Sequence, residues 1–153
     1  MSLIPPEKLQ KLRAALHAKA KALPNQRFHA LYDKVYRSDV LAHAYACCKA
    51  NGGAAGIDDQ TFADIEDRVV QTAAMLVLEP IFEADLQPEQ YAYRAERSAL
   101  DAVNQVRNLL NGGYTHVVDA DLSGYFDSIP HAELMRCLAR RIVDGAMLHL
   151  LTM

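Results

Sequence analysis

The sequence has 153 residues, of which 51% are hydrophobic and 23% charged, with a formal net charge of -3 at pH 7. That is the length and balance of one ordinary globular domain and not of a disordered chain. No apolar run approaches the roughly 20 residues needed to span a bilayer, and the start MSLIPPEK lacks the pattern of a secretory signal, so neither a membrane-spanning nor a secreted protein is expected.

The first helix is expected to open at Pro5-Pro6-Glu7, where proline is tolerated in the first turn. Leu9, Leu12, Leu16, Ala20 and Leu23 recur at helical spacing, and Pro24-Asn25 ends the run. Phe28, Leu31, Tyr32 and Val35 predict a second amphipathic helix. Ser38 is a suitable N-cap for a third, over Asp39 to Ala50, which stops at Asn51-Gly52-Gly53. Residues 1–37 hold 8 Lys/Arg against 2 Asp/Glu, whereas residues 38–153 hold 8 against 17. A basic arm that meets phosphates explains this asymmetry, and so does a solvated helix face.

Asn51 to Asp59 is a loop by composition, and Thr61 or Asp64 is placed to open the next helix, apolar and helical from Asp67 to Phe82 with Pro80 near its end. Ala84 to Arg97 is irregular. Ser98 caps a helix from Ala99 to Leu110 that stops at Asn111-Gly112-Gly113. Thr115 to Leu122 is short, β-branched and bounded by glycine, so it predicts a strand, the one clear strand of the chain. Pro130-His131 opens a helix to about Ile142, Asp144-Gly145 breaks it, and an apolar piece follows from Ala146 to Met153. Cys47, Cys48 and Cys137 have no zinc-ligand spacing and read as reduced thiols of a cytoplasmic protein.

Chemistry concentrates at the end of the expected strand. Asp119 and Asp121 are two residues apart, so a strand would turn both to one face. Paired carboxylates repel, and a hard divalent ion, most simply Mg2+, accounts for them there. Alternatively one carboxylate caps the next turn and the others are solvated.

The stretch from Asp121 to His131, DLSGYFDSIPH, resembles the first catalytic-aspartate motif of group II intron reverse transcriptases. The resemblance implies a palm strand ending in Asp121, a catalytic residue and metal ligand. It implies that Phe126 lies under the sugar of the incoming nucleotide, where it helps to exclude a 2′-hydroxyl. Asp119 is similar to a frequent companion ligand. Residues 67–82 resemble the helix before the family's second conserved block, and Tyr91 to Ala102, YAYRAERSALDA, resembles that block. Its commoner form has Gly where Ala92 stands and Pro-Gly at Ala95-Glu96. Arg94 and Arg97 would then brace strand and nucleic acid at the nucleotide site; the other reading of both is an ion pair, for instance with Asp101.

Residues 27–37 and 51–58 resemble the fingers extension and first block, where a basic helical start meets intron RNA or template. The implied RNA-binding footprint is Lys8, Lys11, Arg13, Lys19, Lys21, Arg27, Lys34 and Arg37. Structural RNA is the natural target of such a footprint, because phosphate attraction is independent of sequence.

Family members carry several tens of residues, including a basic hairpin that grips the triphosphate, where this sequence has eight between Asp58 and Asp67. The sequence also ends before a Tyr-Ala-Asp-Asp hairpin, which in the family supplies further aspartates. The expectation is therefore a mostly helical α+β fragment of a fingers–palm unit. Residues 1–66 form the fingers part and 67–153 a partial palm, as one structural unit, without thumb or maturase domains. It would resemble an Mg2+-dependent RNA-directed DNA polymerase that is inactive alone. Its partners would be RNA, a DNA primer and deoxynucleoside triphosphate if active, and a complementing polypeptide, with no membrane. The alternative is a non-catalytic RNA-binding fragment or a remnant without function.

Overall fold

The computed structural model describes residues 3–50 and 65–153. The glycine-rich turn at 51–59, the start at Thr61 or Asp64 and the short connection after Asp58 lie outside the described residues. Those described form α1 (Glu7–Ala22), α2 (Tyr32–Val35), α3 (Ser38–Ala50), α4 (Ile65–Glu83), α5 (Ala99–Asn111), α6 (Tyr125–Ser128), α7 (His131–Ala139) and α8 (Gly145–Leu150). They divide into two compact units, Met1–Asp85 with Met135–Met153, and Leu86–Leu134.

The core belongs to the first unit. The α1 stripe buries Leu9, Leu16 and Ala20, as its spacing predicts. Leu23 leaves the stripe and is exposed, because the helix ends at Ala22 and Leu23 is its C-cap. α4 is the hub: it packs on α1, α2 and α3, burying Ala73, Ala74, Leu76, Val77 and Ile81. Each fully buried aliphatic side chain contributes about 1.5–3 kcal/mol, so Leu9, Leu31, Ile81, Ile142 and Met147 dominate the unit's stability.

Pro80 sits inside α4. It has no N–H, so the carbonyl of Leu76, one turn earlier, loses its helical partner. Arg13 on α1 fills the vacancy. Its Nη1 donates to the Leu76 carbonyl at 3.1 Å, while Nη2 pairs with Glu79 Oε2 at 2.7 Å. A helix-breaking residue is thus accommodated by a side chain from the neighbouring helix.

The chain closes the unit through residues 141–144. Phe28 and Ile142 form an isolated parallel β-bridge, with Phe28 N donating to the Arg141 carbonyl at 2.8 Å and Val143 N to the Phe28 carbonyl at 2.9 Å. The sequence pattern predicts both residues in helices, but α2 has only four residues and α7 stops at Ala139. Asp144, expected only as a break, caps α8 by accepting from Met147 N at 3.1 Å. Its other oxygen accepts from Leu31 N and Tyr32 N at 2.7 and 2.8 Å.

The second unit has no buried residue on α5 or α6. Its order is local. Ser98 and Asp101 form a reciprocal capping box on α5, in keeping with the cap expected at Ser98. The expected strand at 115–122 is not formed: these residues carry no regular element, and Val117, Val118 and Leu122 are exposed. The reason is physical. A strand needs a neighbour for its N–H and C=O groups, and no strand exists among the described residues to pair with it.

Two outcomes follow for the first unit. Burial acts to raise the Asp144 pKa, but the N–H groups of Tyr32, Leu31, Met147 and Ala146 outweigh it and hold the carboxyl below its ordinary value. A depressed folded-state pKa gives stability that is present at neutral pH and lost as pH falls through that value. Asp144→Ala is expected to cost about 2–3 kcal/mol at neutral pH, since it strands backbone donors, and to flatten the acid-side loss in urea titrations. Arg13→Ala is expected to cost about 1–3 kcal/mol. A Pro80→Ala background restores a backbone N–H at that position for the Leu76 carbonyl. There the cost of Arg13→Ala is expected to fall by about 1 kcal/mol, measured as a double-mutant cycle.

Candidate functional site

Within the second unit the two resembled blocks meet through aromatic rings. Gly124 takes φ 59, the left-handed conformation that glycine adopts freely, and opens the single turn of α6. That turn sets Phe126 against Tyr125, centroids 5.4 Å apart, and against Tyr93, 6.0 Å apart and edge-on at 86°. Such pairs contribute about 0.5–1.5 kcal/mol beyond their burial. Phe126 still has 67% of its surface exposed, so the ring is held yet open to a ligand. The sequence marks Tyr93 only as part of its block; the aromatic at that position is the one available signal for the contact.

Asp121 lies three residues before Gly124. Its Oδ1 accepts from Leu122 N at 2.9 Å, so this carboxylate does hold the following backbone. Asp119 and Asp127 are exposed. No group of three or more His, Cys, Asp or Glu side chains is gathered for a metal ion among the described residues.

Arg94 Nη1 donates to the carbonyls of Gln87 and Gln90 at 2.7 and 2.9 Å, which folds the 87–94 turn around the guanidinium. Arg97 stacks on Tyr91, 5.4 Å from the ring centroid. Asp101 is held below the ordinary carboxylate range, first by the Ser98 hydroxyl, then by the Ser98 N–H, with Arg97's charge a lesser cause. Glu96 takes φ 60 and Tyr93 φ 57, a region that costs an L-residue roughly 1 kcal/mol. Glu96 stands where the commoner form of the block has glycine.

In the first unit, most of the expected RNA-facing cations are engaged internally. Lys11 pairs with Glu7, Lys34 with Asp33, and Arg37 with Asp39 through two bonds of 2.9 and 2.7 Å. Arg13 serves α4. Arg27 donates to the Ala139 carbonyl at 3.0 Å, and Lys19 lies 5.8 Å from the Phe28 ring centroid. Lys8 and Lys21 make no ion pair among the described residues. Sequence reading misses Arg141, whose role is structural and whose one signal is a charge beside the apolar Leu138 and Ile142.

A family model described as reverse transcriptase (RNA-dependent DNA polymerase) matches residues 61–151. The chain belongs to the reverse transcriptase family. Its relatives place it with group II intron reverse transcriptases and maturases. It is 40% identical over 91 residues to protein YkfC of Escherichia coli, covering 57% of this chain and 24% of that one. The group II intron-encoded protein LtrA of Lactococcus lactis is 29% identical over 85 residues, 56% of this chain and 14% of LtrA. Nuclear intron maturase 1 of Arabidopsis thaliana is 28% identical over 86 residues, 56% of this chain and 12% of the maturase. The matched segments therefore span about a quarter or less of these curated relatives. No solved structure gives a significant match.

The family generally uses divalent metal ions. Asp119 and Asp121 suit such an ion in kind, as hard oxygen donors. They do not suit it in number, since the described residues supply no third ligand beside them. These residues do not make a metal site on their own.

The strained block is open to test. Glu96→Gly is expected to slow amide exchange in the first turns of α5 by about three- to five-fold, the equivalent of nearly 1 kcal/mol. Glu96→Ala, which keeps a Cβ, is expected to give no gain.

Proposed function

We propose that this chain carries the first carboxylate motif of an RNA-directed DNA polymerase of the group II intron type. Asp121 is the catalytic carboxylate and Phe126 the sugar-facing aromatic, with Arg94 and Arg97 bracing the nucleotide side. The supporting observation is the cluster itself: Phe126, five residues after Asp121 in the sequence, is fixed by Tyr93 and Tyr125 yet keeps an open face. In the proposed reaction a primer 3′-oxygen attacks the α-phosphorus of a deoxynucleoside triphosphate and pyrophosphate leaves. The contribution of Phe126 would be positional, since a ring packed under the sugar leaves little room for a 2′-hydroxyl. Mg2+ is the proposed ion, with Asp121 and Asp119 among its ligands and the remaining carboxylates supplied from outside the described residues. The proposed partners are RNA, as intron or template, a DNA primer, deoxynucleoside triphosphate and a polypeptide segment bearing the other aspartates.

A second reading, a non-catalytic RNA-binding module, is favoured by one observation: the described carboxylates do not gather into a three-ligand set. The cations Lys8, Lys11, Arg13, Lys19, Lys21, Arg27, Lys34 and Arg37 are its proposed footprint, with Lys8 and Lys21 the most available.

Primer extension on an RNA template separates the readings. The polypeptide of these 153 residues is expected to give no extension, because electrostatic stabilisation by an incomplete carboxylate set falls far short. With a Tyr-Ala-Asp-Asp-bearing segment added, extension that vanishes in Asp121→Ala supports the polymerase. RNA binding unchanged by Asp121→Ala, with no extension in any combination, supports the module. Extension by the 153 residues alone that survives Asp121→Ala overturns the assignment of Asp121.

A further inference from the structure

Tyr93 has a backbone conformation that its side chain does not favour. Its φ is 57, in the left-handed region that crowds any residue with a Cβ. Burial gives nothing in return, since Tyr93 is 93% exposed. Its hydroxyl makes no hydrogen bond among the described residues. What the ring does touch is Phe126, edge-on at 86° with centroids 6.0 Å apart. The cost of a left-handed residue and the gain from one aromatic pair are of the same order, so the contact adds little net stability. The surrounding turn nevertheless maintains it. Arg94, the next residue, sends Nη1 to the carbonyls of Gln87 and Gln90 at 2.7 and 2.9 Å. Gln87 N donates to Gln90 Oε1 at 2.9 Å, and Gln90 N to the Gln87 carbonyl at 3.1 Å. Arg97 stacks on Tyr91 and so ties the two flanks of Tyr93 together. Strain that its surroundings hold in place, with no stability gained, points to a geometric role.

Phe126 needs such support. It lies on α6, a helix of four residues that buries none of them. Tyr125, its other ring contact, is its neighbour in the same turn and moves with it. Tyr93 is the one ring among the described residues that holds Phe126 from outside that turn. We infer that Tyr93 is a positioning residue for sugar discrimination: its ring limits the rotamers open to Phe126 and so sets how closely Phe126 approaches the 2′ position of a bound nucleotide. The inference rests on the reading of Phe126 as the sugar-facing aromatic. An aryl side chain without outside contact exchanges among staggered χ1 wells. Telling a hydrogen from a hydroxyl requires the ring to stay within a fraction of an ångström of one place. Tyr93 acts here through Phe126 and not by touching the nucleotide.

Nucleotide binding to the 153-residue chain tests this without requiring catalysis. Para-fluorophenylalanine in place of the four phenylalanines gives one fluorine resonance for each ring, and Phe126→Leu identifies the one that belongs to Phe126. Titration with deoxyadenosine triphosphate and with adenosine triphosphate then gives an affinity for each, read at that ring. The wild-type chain is expected to prefer the deoxynucleotide. Tyr93→Ala is expected to shift the Phe126 resonance before any nucleotide is added. It is also expected to lower the deoxynucleotide preference by about three- to ten-fold, the equivalent of one aromatic pair. The loss should come from tighter binding of the ribonucleotide, since a freed ring makes room for its hydroxyl. Tyr93→Phe keeps the ring and is expected to restore both the resonance and the preference.

A preference that is unchanged in Tyr93→Ala would overturn the role of Tyr93 and leave Phe126 as the sugar-facing ring. Equal weakening of both nucleotides in Tyr93→Ala would assign Tyr93 to the fold alone and overturn it too. A loss in Tyr93→Phe as large as in Tyr93→Ala would replace positioning with a direct contact by the hydroxyl. A Phe126 resonance that is indifferent to both nucleotides, or that reports equal affinity for them in the wild-type chain, would overturn the sugar-facing reading of Phe126 and this inference with it.

Discussion

Arg141 is the interaction on which the first unit depends. It is 4% exposed, and its guanidinium reaches the carbonyls of Ala20, Leu23, Pro24 and Gln26 at 2.6–3.2 Å. Those carbonyls lie where α1 ends and the chain turns at Pro24, and the Leu23 carbonyl also accepts from Gln26 N at 2.8 Å. Burying a cation costs several kcal/mol unless it is paired and bonded. Here four carbonyls and Asp85 meet it, although Nε and Asp85 form an ion pair without hydrogen-bond alignment. The result is a clamp across more than 110 residues of sequence. It sets the register of the Phe28–Ile142 bridge immediately beside it and brings Asp144 within reach of Leu31 and Tyr32.

The two units solve the same problem differently. The first buries aliphatic side chains and then uses charged groups to satisfy backbone atoms that its irregular joints leave over. Arg13 at Pro80, Arg141 at Pro24 and Asp144 at Leu31 are three instances. The second has α5 with Leu100, Val103, Val106, Leu109 and Leu110 exposed, so its order comes from a capping box, a guanidinium holding two carbonyls and three aromatic rings. These contacts are individually small. The residues closest to the proposed chemistry therefore stand on local interactions, while the tightly packed helices carry the stability.

Much of the helical architecture is legible in the sequence because apolar periodicity is a local signal. The stripe at Leu9, Leu16 and Ala20 and the cap at Ser98 involve residues within a few turns of each other. The failures are non-local. The β-branched run at 115–122 has strand propensity, but propensity does not supply a pairing partner. Phe28 and Ile142 pair although each sits in an apolar pattern that reads as helix, because the Arg141 and Asp144 contacts override it. The family resemblance is carried by short motifs whose residues are contiguous, and so survives these errors. The meeting of Tyr93 with Phe126 joins two motifs over 33 residues and needs the structure.

The same distinction bears on charge. Eight cations among the first 37 residues suggest a broad phosphate-binding face when counted along the sequence. In the folded chain, Arg13 and Arg37 are bidentate or two-point partners of protein groups, and Arg27 holds a helix end. Recruiting any of them to RNA would break a structural contact first, whereas Lys8, Lys21 and Arg140 have no such contact among the described residues to give up. An exposed pair such as Lys11–Glu7 is weak, and its carboxylate also repels a nearby phosphate. The cations that fold the protein and the cations available to a polyanion are thus largely different sets. The second set extends to Arg140, just past the end of α7, which counting from the N-terminus does not reach.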